Sequence, residues 1–340
     1  MEQVTLKSIA SELGISITTA SKALKNYPDV SPKTRKAVID LARKLNYIPN
    51  SFAVNLRTKE SKVIGLIIPE IVHYFFSNVV NAIIEYAEKK GYLIITLQSN
   101  ESDKLEEKQI ELLLNKRVDG ILISLSNNRK DLSPIHKIVE SGTPLVLFDK
   151  ISKLINCSKV IINDRDAAYA ATEHLINTGC KDIAHFRGPL NPQNSIDRFL
   201  GYKKALEDSK LHFDKSLVYT CEKVSFEEGY NFAKELHQSN KKVDAIFAIT
   251  DLVAIGAITY FNEANVKIPE DISIIGFSNW FMASVISPSL SSVDQPGYEM
   301  GKKAIKLLLK EIKAIKKGKK IKHKTIVLPT NVIKRSSTRD

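Results

Sequence analysis

The sequence is poor in the residues that build disulfide-bonded, redox or metal-bound scaffolds. Cysteine occurs three times, as Cys157, Cys180 and Cys221, too far apart and too few for a disulfide framework or the close pairs of a zinc site. These thiols read as ordinary core or surface residues. The seven histidines show no metal-ligand spacing, and no metal or cofactor is expected. No apolar run approaches the length that spans a bilayer, and no charged segment followed by an apolar one opens the chain. A cytoplasmic protein without a membrane partner is the expectation. The patterns G-x-G-x-x-G, G-x-S-x-G and G-x-x-x-x-G-K-[ST] are missing, and G-Y-E-M-G-K-K at Gly297–Lys303 has the wrong spacing for a phosphate loop.

What is present exceeds one core. A chain of 340 residues, 43% of them hydrophobic, suggests a small domain beside a larger one. The net charge of +12 is unevenly spread. Residues 1–62 carry 11 Lys and Arg against 5 Asp and Glu, a net of +6 that suits attraction to phosphates. Residues 302–324 carry 11 Lys against Glu311 alone. That run reads as a helix with a solvated face followed by a loop, since it has no interleaved aromatics.

Residues 1–48 read as three short capped helices. Thr5 can cap the first, with Ile9, Ala10 and Leu13 inward and Gly14 supplying the turn. Ser16 can cap the second, Ile17 to Lys25, with Ala20, Ala23 and Leu24 inward. Ser31 and Pro32 open the third. This is the helix-turn-helix arrangement. From Val63 onward, short apolar runs alternate with amphipathic segments, first over Val63–Ile68, Leu93–Leu97, Gly120–Ser124 and Leu145–Phe148. The rhythm repeats near Val160–Ile162, Ile183–Phe186, Ala245–Ile249 and Ile272–Gly276. Two doubly wound parallel-sheet lobes are the simplest packing, with a ligand expected in the cleft at the carboxyl ends of the strands.

The sharpest chemistry lies in Ser16–Lys22, S-I-T-T-A-S-K. A helix entering the major groove needs small polar groups near its N-terminus and side chains one turn apart on its outer face. Ser16, Thr19 and Ser21 supply polar groups, and Ile17, Thr18 and Lys22 are spaced to share the outer face. Lys22 can reach guanine O6 or N7, Thr18 a base edge, and Ile17 a thymine methyl. A small helical bundle with ordinary surface polars explains the same pattern. Two further readings compete: an α/β enzyme with an unrelated helical N-terminus, and a secreted sugar-binding protein, which leaves residues 1–56 unexplained.

Longer stretches add to this. V-T-L-K-S-I-A-S-E-L-G-I-S-I-T-T-A-S-K-A-L, P-D-V-S, T-R-K-A-V and L-N-Y-I-P-N-S-F-A-V-N-L-R-T resemble the headpiece of the lac repressor family of bacterial transcription regulators. I-G-L-I-I-P, D-G-I-L-I, G-T-P-L-V-L-F-D, R-F-L-G-Y, D-L-V-A-I-G-A-I and I-P-E-D-I-S-I-I-G-F resemble its effector domain. The resemblance implies a small all-α helix-turn-helix headpiece, residues 1–60, followed by an α/β effector-binding and dimerisation domain, residues 61–340. That domain is expected to be two-lobed, as in type I periplasmic binding proteins. The first lobe would be about 62–162 plus 292–320, and the second about 163–290 plus the C-terminal strands.

The implied function is a repressor that binds a near-palindromic double-stranded DNA operator as a homodimer. A small-molecule effector, a sugar or sugar derivative, would control it allosterically. The DNA-contacting set gains Thr5, Asn50 and Leu56, the last two in a hinge helix at about 50–57, with Leu56 as a minor-groove wedge. Val54 stands where the family often has a basic residue. On the effector side, Arg198 matches an arginine that holds ligand hydroxyls. Phe75 and Phe76 match cleft-lining positions, though phenylalanine at helical spacing is more often plain core. Asp149, Asn194, Asp251 and Gln295 match polar cleft positions. The family commonly has an acid where this chain has Ser278, which brings a hydrogen bond without charge. Trp280 can stack on a sugar face or pack at the lobe edge.

Overall fold

A computed structural model describes residues 4–47, 60–72, 74–239 and 241–340. The hinge positions Asn50 and Leu56 lie outside them. The chain divides into two units, 1–61 and 62–340.

The first unit holds α1 (Leu6–Glu12), α2 (Ile17–Leu24) and α3 (Pro32–Lys44). Each starts where a hydroxyl can take an orphan amide. Thr5 accepts from the Ser8 amide at 3.1 Å while Ser8 Oγ accepts from the Thr5 amide at 3.0 Å, a reciprocal cap. Ser16 accepts from the Thr19 amide at 3.0 Å, and Ser31 from the Thr34 amide at 3.1 Å just before Pro32. Gly14 takes φ +60° in the turn between α1 and α2. Ile9, Ala23, Val30, Val38, Leu41 and Ala42 form the core. Leu13 and Leu24 pack against it half-buried.

The second unit contains two six-stranded sheets. The first comprises β1 (Val63–Ile68), β2 (Leu93–Gln98), β3 (Gly120–Ile123), β4 (Leu145–Phe148), β5 (Ser158–Ile162) and β11 (Thr325–Leu328). They run in the order β11-β5-β4-β3-β1-β2 and are parallel throughout. The second comprises β6 (Ile183–Arg187), β7 (Val218–Thr220), β8 (Ala245–Ala248), β9 (Ser273–Ser278), β10 (Ser291–Asp294) and β12 (Asn331–Ile333). Their order is β12-β10-β9-β8-β6-β7, with only β12 antiparallel to its neighbour. β3, β4 and β8 are buried at every position, which is why they read as continuous apolar runs.

Side chains alternate between the faces of each sheet. On β1, Ile64, Leu66 and Ile68 join a core shared with helices Tyr74–Glu88 and Gly297–Lys316, and Ile67 joins the opposite one with helices Asp103–Asn115 and Ser133–Glu140. A Cβ at Gly65 would lie 2.4 Å from a methyl of buried Leu113, so a larger residue there would have to displace that side chain. The second sheet is covered likewise by helices Asp164–Asn177 and Gln193–Asp208 on one face and Phe226–Gln238 and Asp251–Glu263 on the other. Both lobes are therefore doubly wound.

The expected lobe boundaries need correction. Residues 292–294 belong to the second lobe, since β10 pairs with β9, and one C-terminal strand belongs to the first, since β11 pairs with β5. The lysine run has the predicted form: helix Gly297–Lys316 buries Ala304, Ile305, Leu308 and Ile312 and exposes Lys306, Lys310 and Lys313. All three cysteines are buried free thiols. Among the described residues no helix is long and apolar enough to cross a membrane.

Candidate DNA-reading helix and ligand cavity

In the first unit, burial of Ala20 and Ala23 turns Ile17, Thr18 and Lys22 outward. Ile17 is 49% exposed and leaves an apolar surface beside the polar ones on the outer face of α2. The Ser16 and Thr19 hydroxyls bond each other at 2.8 Å, so both sides of the α2 cap are fixed. Ser21 is half-buried, and Thr5 is exposed at the α1 cap. Lys22 is not a free cation: its ammonium pairs with Asp29, beyond the end of α2. No helical spacing rule would have revealed that partner.

In the second unit, one cavity of about 340 Å³ opens where the carboxyl ends of both sets of strands meet. All nine residues expected in the cleft border it. Phe75 and Phe76, at the start of helix Tyr74–Glu88, meet edge to face at 5.1 Å and belong to the core as well as the wall. Asp149 follows β4, and its Oδ1 accepts from Gln295 Nε2 at 2.8 Å. Gln295 Oε1 accepts in turn from Ser278 Oγ at 3.3 Å, so three cavity residues form one chain between lobes. Burial pushes the Asp149 carboxyl above its ordinary range, against the pull of the Arg198 and Lys150 charges.

Arg198, on helix Gln193–Asp208, is held rigidly. Its Nε donates to Asp164 Oδ1 at 2.8 Å, its Nη1 to the Ile249 carbonyl at 2.9 Å, and its guanidinium carbon stands 3.5 Å from the Phe277 ring centroid. Nη2 has no partner among the described residues. Burial raises the Asp164 carboxyl to about 6 even though Arg198 favours its charged form. Asn194 Oδ1 accepts from the Ser195 amide at 2.8 Å, and its Nδ2 has no partner among the described residues.

Asp251 borders the cavity with its oxygens already engaged. Oδ1 accepts from Ser292 Oγ and Oδ2 from the Trp280 amide, both at 2.5 Å. Gly276 makes room for this carboxylate, since a Cβ there would sit 2.3 Å from Asp251 Oδ1. Asp251 thus braces the Ser278–Trp280 loop, and burial lifts its carboxyl to about 6. Trp280 lines the cavity while making an edge contact with Phe281 at 6.2 Å.

Several lining residues were not anticipated. Lys150 pairs with Glu101 and donates to Asn127 Oδ1 at 2.9 Å, while the Asn127 amide donates to Glu101 at 2.6 Å. These three come from separate loops, so no spacing signals them. Ser195 Oγ is buried without a partner among the described residues and borders the same space. It lies one helical turn before Arg198, a spacing that could have found it. Glu101, Asp149, Val224 and Ser278 all line the cavity with positive φ, and for β-branched Val224 at +53° that is a strained conformation. Strain gathered around a cavity is a mark of a ligand site. Of the cations that line the cavity, Lys150 and Arg198 are paired with the carboxylates of Glu101 and Asp164. Among the described residues no group of three His, Cys, Asp or Glu side chains could hold a metal ion.

Residues 5–50 match the family described as bacterial regulatory proteins, lacI family, and residues 172–338 match a periplasmic binding protein-like domain. The ribose operon repressor of Halalkalibacterium halodurans is 30% identical over 335 residues, 98% of this chain and 97% of its own. The solved complex of transcriptional regulator CelR with cellobiose is 27% identical with a TM-score of 0.74, covering 98% of this chain and 100% of CelR. The lac repressor dimer bound to operator and the anti-inducer ONPF has the same fold, with a TM-score of 0.87 over 100% of both chains at 24% identity. A family of regulators leaves the enzyme reading without support. The chain belongs to the lacI family of bacterial regulatory proteins, and it is a DNA-binding transcription regulator.

Proposed function

We propose that this regulator reads its operator with the outer face of α2 and that a small neutral polyhydroxylated metabolite, a sugar or sugar derivative, sets operator affinity from the cavity. Arg198 carries the effector half. It is locked by Asp164 and the Ile249 carbonyl with Nη2 left over, close in the wall to the Asp149–Gln295–Ser278 chain. Fixed donors and acceptors beside aromatic walls suit a ligand that has many hydroxyls and apolar ring faces. The cavity volume lies within the range of small-molecule sites, roughly 300–1,000 Å³. A relative named for ribose and a solved neighbour holding cellobiose support the same class.

On the DNA side, each chain offers one eight-residue reading helix, so a homodimer on a near-palindrome supplies the second half-site. Ligand acts by favouring one of two lobe arrangements that differ in operator affinity. The test is calorimetry of the full chain against a panel of sugars, nucleosides and sugar phosphates, with Arg198→Ala as control. Binding of a neutral sugar that is lost in the variant is expected. Absence of binding by any sugar, or equal binding by the variant, overturns the effector half.

A further inference from the structure

Lys22 shares the exposed edge of α2 with a carboxylate. Its ammonium is ion-paired to Asp29, with the side chains 41% and 53% exposed. The loop that carries Asp29 is fixed. Arg35 from α3 donates through Nη2 to the Tyr27 carbonyl at 2.7 Å and to the Val30 carbonyl at 3.1 Å, and Val30 is buried in the helical core. The Tyr27 amide donates to the Lys22 carbonyl at 3.1 Å, tying the loop to the end of α2. The hydrogen bond from Lys22 also holds the Asp29 carboxyl below its ordinary range, so it is ionised at neutral pH. A negative charge beside a DNA-reading lysine repels phosphates, and it needs a compensating use.

The major-groove edge of a base pair supplies one. Guanine presents N7 and O6 as acceptors, and cytosine presents the N4 amino donor next to them. An ammonium touching a carboxylate offers the complementary donor and acceptor in the same order. A lysine alone, long and flexible, can reach guanine on either strand. A carboxylate beside it accepts from cytosine N4 in one orientation and faces guanine acceptors in the other. A T·A pair presents O4 and N6 in the favourable order but a methyl where guanine has N7, which makes it second best.

We propose that Lys22 and Asp29 act as one unit that reads a single G·C pair and its strand orientation, Lys22 on guanine and Asp29 on the cytosine amino group. This rests on α2 being the reading helix.

The experiment uses the full chain and a randomised duplex library. The base pair in question is the one whose preference Lys22→Ala erases. There, wild type should favour G·C over C·G by about five-fold to a hundred-fold. Asp29→Asn, whose amide can donate or accept, should bring that ratio to about two-fold or less while binding to unselected duplex rises. Replacing the cytosine by 2-pyrimidinone, which lacks the amino group, should weaken wild type and leave Asp29→Ala unaffected. A merely structural Asp29 would lower binding to all duplexes together, and that result overturns the proposal. So does a wild-type orientation preference kept in both Asp29 variants, or no cost from 2-pyrimidinone. A library in which no duplex is enriched, or in which Lys22→Ala erases no preference, overturns the α2 assignment itself.

Discussion

Two ion pairs use the same charges in opposite ways. Lys22–Asp29 lies on the outside of the headpiece, 41% and 53% exposed, whereas Arg198–Asp164 lies under the cavity, 4% and 9% exposed, at 2.8 Å. An exposed pair contributes about 0–1 kcal/mol and is readily exchanged for another partner. A buried pair cannot lose one member without stranding the other's charge in a low dielectric. The pair on the headpiece surface is therefore exchangeable and the pair at the cavity is fixed. The proposed function uses both: contacts that can be made and broken on DNA, and a rigid site through which ligand binding would favour one lobe arrangement.

The comparison breaks most visibly at Arg198. Arg198→Ala should destabilise the chain by about 3–5 kcal/mol in a denaturant titration, because it leaves Asp164 buried and unpaired. Arg198→Met combined with Asp164→Leu should recover most of that stability without recovering ligand binding. If the double variant stayed as unstable as the single one, the cost would lie in packing and not in the stranded charge. Lys22→Ala should instead leave stability within about 0.5 kcal/mol and cost about 1–3 kcal/mol of discrimination at one base pair, measured on operator variants.

Titration sharpens the contrast. The Asp164 and Asp251 carboxyls are raised to about 6 by burial, so between the ordinary aspartate range and pH 6 the folded state binds more protons than the unfolded one. Their contribution is most favourable at low pH and is lost as pH rises toward about 6. Asp29, held low by Lys22, works in the reverse sense and loses its contribution as pH falls. Thermal unfolding from pH 4 to 7 should show wild type losing stability relative to Asp251→Asn as pH rises. Parallel curves would contradict the burial argument. The smallest effect belongs to exposed Lys33 on the first turn of α3, where Lys33→Ala should reduce the salt slope of DNA binding by about 1 and leave base preference unchanged.

Much of the headpiece was legible because its determinants are local. Thr5, Ser16 and Ser31–Pro32 cap the helices that begin just after them, and Gly14 makes the turn its left-handed φ permits. Strands such as β3, β4 and β8 announced themselves by apolar runs. β10 did not, because its sequence, S-S-V-D, is buried through hydrogen bonds: Ser291 Oγ pairs with Thr338 Oγ1 at 2.8 Å, and Ser292 Oγ donates to Asp251. That hidden strand displaced the expected lobe boundary.

The cavity was legible where single residues match family positions and illegible where contacts cross loops. Asp164, Glu101, Asn127 and Lys150 gain their meaning only from partners distant in sequence. Asp251, read as a polar cleft position, has both oxygens committed to bracing the Ser278–Trp280 loop, a role that only the fold reveals.

The most direct test of ligand control is reciprocity. Operator affinity of the full chain is measured with and without the sugar that binds in the panel, and sugar affinity with and without operator, in wild type and in Arg198→Ala. In wild type the two ratios should be equal, typically about 5- to 150-fold, because coupling between two binding sites is a single free energy. Arg198→Ala should abolish both while still binding operator. Sugar affinity that is the same with and without operator would contradict coupling between the cavity and operator binding.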